Sequence, residues 1–481
     1  MRKMLALWAV SMVTLPAWAD VVVNNNIGAT GISQYTQSGS STLVFGSTVI
    51  VAFNDSGSYA ASNNQFTGYA RSTDGGLTFT DMGGLPTNAA GDAGYAHLAR
   101  HDATGTVYST SLGFSSGQVQ VLRSLDGGIT FSPPTIAVPG ATAANYNAIA
   151  VDNAAGQGNG TLYVVTEDFG DGGGGLRLSR STDGGLTFGP SILLSSSGNA
   201  GRGPSITVGP DHRVTVAYLD TTVGPPVIRV RSSTDNGVTF AAPAIAATLA
   251  VPATGDLGLV GVRNGLGSAT NFRSNAHPQI VANPVTGQLY MVYANKGLGA
   301  DKADILLRTS GDGGLTWSAA QRVNSDAGSN DQWQPTITVT PDGKHVGIFW
   351  YDRRNDSANN LIEYYGRQCA VSATVLTCGA DFAISDQPFL PEFGRDAIVT
   401  LGFMGDYDNA DSDDNFFYVS WGDNRLPLAG GGDRLDPNVF FDRIAIGGIG
   451  GGGSVPVPAT LWLAVAALFA LAWQRRAGQV S

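Results

Sequence analysis

The chain has 481 residues, 65 of them glycine, with only 14% charged side chains and a formal net charge of −11 at pH 7. So acidic a balance repels phosphate, which argues against a nucleic-acid surface or an anionic membrane as partner. Five scattered histidines and two cysteines form no cluster of the kind zinc needs. Many short Val, Ile, Tyr and Phe runs punctuated by Asp-Gly and Gly-Gly turns favour an all-β fold rich in hairpins.

In chain order, Arg2 and Lys3, an apolar run from Met4 to Leu15 and Ala17-Trp18-Ala19 have the layout of a secretory signal, so 1–19 is expected to be removed on export. From 20 to 446 a strand, a tight turn and a second strand ending in a polar loop recur at Leu43 to Asp55, Ala96 to Leu112, Ala148 to Asp168, Ser205 to Asp220, Gln279 to Asn295, Thr336 to Asp352 and Asn409 to Asp423. Five of these units lead into the pattern Ser-x-Asp-x-Gly-x-Thr-aromatic, beginning at Ser72, Ser124, Ser181, Ser233 and Ser310. Its aspartates, Asp74, Asp126, Asp183, Asp235 and Asp312, can accept bonds from backbone N–H groups just ahead while glycine supplies positive φ, so they close hairpins and are structural. Seven four-stranded antiparallel blades of about 60 residues each would close radially as a β-propeller, with Asp20 to Asn26 as the closing strand. Six blades is the alternative, if one repeat extends its neighbour.

With the strands of each blade labelled A to D from the centre outward, the Ser-x-Asp-x-Gly turns join C to D on one face. The B–C loops and D–A connections form the opposite face, which is the expected binding rim. That rim carries Glu167, Asp352, Arg353, Arg354 and Arg425 from B–C loops, and Asp92, Arg202 and Arg273 from connections into strand A. Guanidinium forks beside carboxylates suit a polar, anionic or glycan-like ligand, the alternative being solvated loops held by local salt bridges. Trp350, on the strand that ends in Asp352, is expected to point into the core.

Asp406, Asp408, Asp411 and Asp413 crowd the start of the last repeat and supply hard oxygens such as calcium takes, although the EF-hand glycine and distal glutamate are missing. A solvated acidic turn is the other reading, and no cofactor is otherwise required. Cys369 and Cys378, nine apart across a hairpin of an exported chain, can form one disulfide or stay as two thiols. A glycine-rich linker at 447–454 leads to a segment at 455–478 that holds Val455-Pro-Val-Pro-Ala-Thr, an apolar stretch from Leu461 to Trp473 and Arg475-Arg476. The stretch is shorter than the about 20 residues of a bilayer span and reads as a processed sorting segment.

The five-fold pattern is the Asp box, the bacterial neuraminidase repeat, and through it the chain resembles sialidases and their propeller relatives over residues 40–445. The tail resembles the PEP-CTERM class, with Val457 where an acidic residue or leucine is usual, which implies a sorting transpeptidase as partner and a secreted or cell-surface destination. A monomer is expected. The sialidase resemblance implies three arginines clamping a carboxylate, a tyrosine nucleophile assisted by a glutamate, and an aspartate acid/base. Blade order then points to Tyr407, Glu167 and Asp92 for the chemistry, and to Arg202 and Arg273 with Arg353 or Arg354 for the clamp. The family's first clamp arginine precedes the first box, whereas this chain has none between Asp20 and Tyr69. Two functions stay open: an exo-α-sialidase-like glycoside hydrolase on extracellular or surface glycans, and a non-catalytic propeller that binds glycan or protein. Neither a nucleophile-elbow motif nor a nucleotide-binding loop is present.

Overall fold

The computed structural model describes residues 20–447 apart from 26–35, 63, 171–173, 196–199, 264–268, 298–300, 394–395, 397–398, 400–401 and 428–434. The expected signal at 1–19 and the tail at 455–478 lie outside the described residues. Among the described residues seven of eight sheets succeed one another along the chain and make a seven-bladed β-propeller, and the eighth is formed by the short strands Val260–Arg263, Ala269–Asn271 and Glu392–Phe393. All seven strand–turn–strand units read from the sequence are the inner hairpins of blades.

Second strands such as Thr48–Asp55, Leu162–Asp168, Val214–Asp220 and His345–Asp352 are β-branched and aromatic, and they are buried almost end to end. A strand covered on both faces by neighbouring blades has no solvated side, so it reads as a continuous apolar run with no alternation. In blade 7, Phe416–Asp423 and Asn438–Ala445 are the second and third strands, and the outermost place is taken by Val21–Val22 from the other end of the chain. Val21 lies opposite Phe441 and Val22 opposite Phe440, which closes the ring.

The five Ser-x-Asp-x-Gly turns share one bonding scheme. In blade 3, Asp183 Oδ1 accepts from Ser181 Oγ at 2.7 Å and from the Thr187 N–H at 3.0 Å, while Ser181 Oγ accepts from the Gly185 N–H at 2.9 Å. The bonds from Thr187 hold the Asp183 carboxyl down at about 2. Each turn also rests on the preceding blade, and glycine is what permits it. A Cβ on Gly76 would lie 2.2 Å from the Phe441 ring of blade 7, and one on Gly237 would lie 2.7 Å from the Tyr163 ring of blade 3. In the first three boxes the arginine just before the serine completes the latch, Arg71 donating to the Gly127 carbonyl at 2.9 Å and Arg180 to that of Asn236 at 2.9 Å. Replacing Asp183 with alanine is expected to cost about 1–2 kcal/mol in a thermal melt and to leave ligand binding unchanged. This contribution is present above pH 3.8 and disappears as pH falls through about 2.

Blade 6 has no box, and there Cys369 and Cys378, cross-strand partners on strands C and D, are joined as a disulfide. On the opposite face, first strands are interrupted by bulges between Ser38 and Ser41, Ala144 and Asn147, Arg202 and Ser205, and Trp333 and Thr336. A bulge re-aims the side chains of its strand.

Candidate functional site

At the mouth of the central funnel, Tyr95 and His97 enter from blade 2, and Asn145, Tyr146 and Glu167 from blade 3. Arg202 and Gly203 come from blade 4, while Arg273 and His277 precede blade 5 and Asp406 and Tyr407 precede blade 7. Asn145 and Tyr146 occupy the bulge of their strand, as Gly203 does in the next blade.

Two polar groups organise the mouth. In the first, Arg273 Nε donates to Asp406 Oδ1 at 2.7 Å and Arg273 Nη2 donates to the Tyr95 hydroxyl at 2.8 Å. Arg273 Nη2 also contacts Asp406 Oδ2, to which Tyr95 donates at 3.0 Å. The Arg273 guanidinium lies 4.5 Å from the Phe403 ring, and 40% of the side chain remains exposed. In the second, Glu167 accepts from Asn145 Nδ2 at 2.6 Å and from the Gly203 N–H at 3.0 Å. Burial pushes this carboxyl up to about 7 against the opposing charge of Arg202, and Asp406 adds repulsion. Arg202 lies over Phe169 at 5.7 Å, its buried Nε unpartnered among the described residues.

Aromatic rings floor the mouth. Tyr146 stands edge-on to His277 at 5.4 Å and to Tyr407 at 5.5 Å, and its hydroxyl makes no hydrogen bond to a described residue. Burial pushes His97 and His277 down to about 3, so both are neutral plates. His277 packs directly on Gly203, where a Cβ would fall 2.0 Å from the imidazole.

Several sequence expectations are corrected here. Tyr407 is stacked on His97 at 4.2 Å and donates its hydroxyl to the Ala96 carbonyl at 2.9 Å, so it wedges blades together and presents no free nucleophile. Asp92 accepts from the backbone N–H of Phe66, Thr67 and Gly94 and from the Thr67 hydroxyl, which makes it a tie within the chain instead of an acid/base. Arg353 is buried between Trp333 and Phe272 and donates to the Val260 carbonyl at 2.6 Å. Arg354 is bound to Asp352 and Asp381, and Trp350 Nε1 donates to Asp352 at 2.8 Å. Trp421, Asp423 and Arg425 repeat that triplet in blade 7. Arg353, Arg354, Arg425 and Asp352 are therefore internal latches, and of the arginines expected in the clamp only Arg202 and Arg273 stand at the mouth.

The four aspartates read as a calcium set are dispersed. Asp406 pairs with Arg273, whereas Asp408 takes bonds from Ser40, Gln334 and Tyr351. Asp411 accepts from the Val44 and Ser412 N–H groups, and Asp413 from those of Asn415 and Phe416 and from the Tyr418 hydroxyl. Among the described residues no three His, Cys, Asp or Glu side chains are grouped to hold a metal ion.

Asn145 and Tyr146 were missed because nothing in a single strand marks a bulge, and Tyr95 and His277 because they stand in the connections just ahead of first strands. One signal was available: Ala96-His97 and Ala276-His277 repeat a dipeptide just ahead of two first strands. Cavities of about 250 and 430 Å³ lie elsewhere, between successive box turns on the opposite face.

No protein-family model and no curated protein matches the chain. Among solved structures it is similar to the phage phi92 endosialidase, with 13% identity, a TM-score of 0.44 and coverage of 92% of this chain and 72% of that one. An α-L-arabinofuranosidase of Fusarium graminearum gives 11% identity, a TM-score of 0.43 and coverage of 90% and 98%. A protein of unknown function from Dyadobacter fermentans gives 15%, 0.42, and 89% and 98%.

Proposed function

We propose that the protein is an exported glycoside hydrolase whose funnel mouth takes a polar glycan and whose Glu167 protonates the glycosidic oxygen. The observation that carries this reading is the pair of unlike carboxyls at one mouth. Glu167 is raised to about 7 by burial, and Asp406 is held by Arg273 and Tyr95. An acid whose proton is retained near neutrality, beside a second carboxyl, is the division of labour that glycosidic cleavage asks for. Arg202 and the exposed part of Arg273 offer charged donors to sugar hydroxyls or an acidic substituent. Export rests on residues 1–19 and 455–478. Because the arginine clamp is incomplete and Tyr407 is occupied, the proposal is not tied to sialic acid.

A second reading, glycan retention without turnover, is favoured by the depth of Glu167, which is only 1% exposed beneath Asn145 and Arg202. A panel of acidic and neutral fluorogenic glycosides run beside a glycan array separates the two. Turnover that survives Tyr407→Phe and is lost with Glu167→Gln is the expected result. Retention on the array with no turnover would move the protein to the second reading, and activity confined to esters or peptides would sink both.

A further inference from the structure

We propose that Tyr95 is the positioning residue of the funnel mouth, locking the Arg273–Asp406 pair in the orientation that meets the substrate beside Glu167. The inference rests on the glycosidase reading, in which Asp406 is the second carboxyl of the reaction. Tyr95 stands just ahead of the first strand of blade 2, Leu98–His101, and its backbone is left-handed, with φ at 63°. Near the entry of the first strands of blades 1 and 4 that conformation belongs to Gly39, at 61°, and Gly203, at 53°. No other tyrosine, phenylalanine or tryptophan among the described residues has a positive φ. A bulky side chain makes this conformation costly, and such strain persists only where the surroundings impose it.

Two neighbouring blades impose it here. The Tyr95 N–H donates to Asn54 Oδ1 of blade 1 at 2.8 Å, and the Tyr95 carbonyl accepts from Asn147 Nδ2 of blade 3 at 2.9 Å. Both asparagines are buried, so the backbone between them is fixed. The ring is packed by Tyr146 at 6.1 Å, Tyr407 at 6.2 Å and Phe403 at 6.4 Å. A glycine would make the same two backbone bonds without strain. What the strained residue supplies is therefore the phenol.

The phenol closes a triangle. Its oxygen donates to Asp406 Oδ2 at 3.0 Å and accepts from Arg273 Nη2 at 2.8 Å, while Arg273 Nε donates to the other oxygen, Asp406 Oδ1, at 2.7 Å. A hydroxyl gives and takes at one atom, so each of the three groups is bonded to both of the others. The triangle joins the entries to blades 2, 5 and 7. Without the hydroxyl, a guanidinium that is 40% exposed keeps only its fork on Asp406, and water competes for an exposed ion pair. A group displaced by about 1 Å from its productive place costs about a hundredfold in rate, so the loss falls on turnover more than on binding. Tyr95 acts through Asp406 and Arg273 and touches no reacting atom itself.

Tyr95→Phe keeps the ring and the backbone and deletes only the hydroxyl. In the full-length protein labelled with 15N, the Arg273 Nε–H is followed by NMR, its resonance assigned by its loss in Arg273→Lys. Exchange of that hydrogen with water should be at least about tenfold faster in Tyr95→Phe, since a bond to a charged group is lost. On the glycoside that the parent cleaves, kcat should fall by about ten- to a hundredfold with KM within about twofold of the parent's. Tyr69→Phe is the control: its hydroxyl donates to the Ile129 carbonyl at 3.1 Å, away from the mouth, and both measurements should match the parent. Unchanged exchange in Tyr95→Phe, or faster exchange with undiminished kcat, would overturn the proposal. A parent that cleaves no glycoside defeats the glycosidase reading instead, and the exchange measurement, which needs no turnover, still decides whether Tyr95 holds the pair.

Discussion

Glu167→Gln will abolish turnover and, at pH 8, raise the melting temperature. Burial lifts this carboxyl from 4.5 to about 7 in the folded protein. The folded state therefore binds a proton that the unfolded chain has released, and stability falls as pH climbs from 4.5 through 7. Forcing the charge into its buried site at pH 8 costs about 3 kcal/mol. Glutamine removes that charge but offers Gly203 a donor where an acceptor stood, a loss of about 1 kcal/mol. The balance leaves the variant about 2 kcal/mol more stable than the parent at pH 8 and about equal to it at pH 5. Thermal melts at the two pH values read that difference directly, and a glycosidase assay on the same samples reads the chemistry. A group that loses activity while gaining stability is held in the fold for function at a structural cost. A variant destabilised equally at both pH values would mean that Glu167 is an ordinary buried bonding partner.

Most of the architecture was legible because it is written in local chemistry. The Ser-x-Asp-x-Gly turn is satisfied within its own eight residues, so every copy identified a hairpin, and the seven polar-ended second strands gave the blade number. Asp20 to Asn26 could be offered as the closing strand because radial closure needs one, and Val21 and Val22 do pair with Phe441 and Phe440. The site was much less legible. An Arg at the end of a second strand can face the funnel or fold back into its own blade, and the sequence Asp352-Arg353-Arg354 looks the same in either case. What decides it is Trp350, whose indole donates to Asp352 and so draws the carboxylate inward, with Arg354 following. The calcium expectation failed for a related reason. Asp408 and Asp411 alternate along strand-like segments and reach different neighbours, Ser40 and Val44, so closeness in sequence did not become convergence in space.

Arg425→Ala is expected to be the most damaging single change outside the apolar core, because Arg425 is the electrostatic clasp where the first and last strands of the propeller meet. Its guanidinium holds Asp423 at 2.8 Å through Nε and Asp20 at 2.7 Å through Nη1, contacts Asp386, and covers the Phe440 ring at 4.4 Å while only 4% exposed. Asp20 and Asp423 are themselves buried, and burial already raises Asp20 to about 6. Removing the one cation leaves two buried carboxylates unpaired and strips cover from the strand on which Val21 and Val22 lie, for a loss of about 3–5 kcal/mol. In other blades such a loss is contained, since all four strands are continuous in sequence. Blade 7 borrows its outer strand, and unpairing it opens the ring. Arg177→Ala is the matched control, because Arg177 holds Asp168 at 2.8 Å at the same level of blade 3 but is 23% exposed and closes no junction. The deficit in Arg425→Ala should also shrink at pH 5, where Asp20 takes up a proton and no longer needs the cation. Denaturant melts of both variants at pH 5 and pH 8, with limited proteolysis to detect release of the chain near Asp20, measure this. If Arg425→Ala proves no worse than Arg177→Ala at either pH, the junction is held by the pairing of Val21 and Val22 alone and the clasp has no energetic weight.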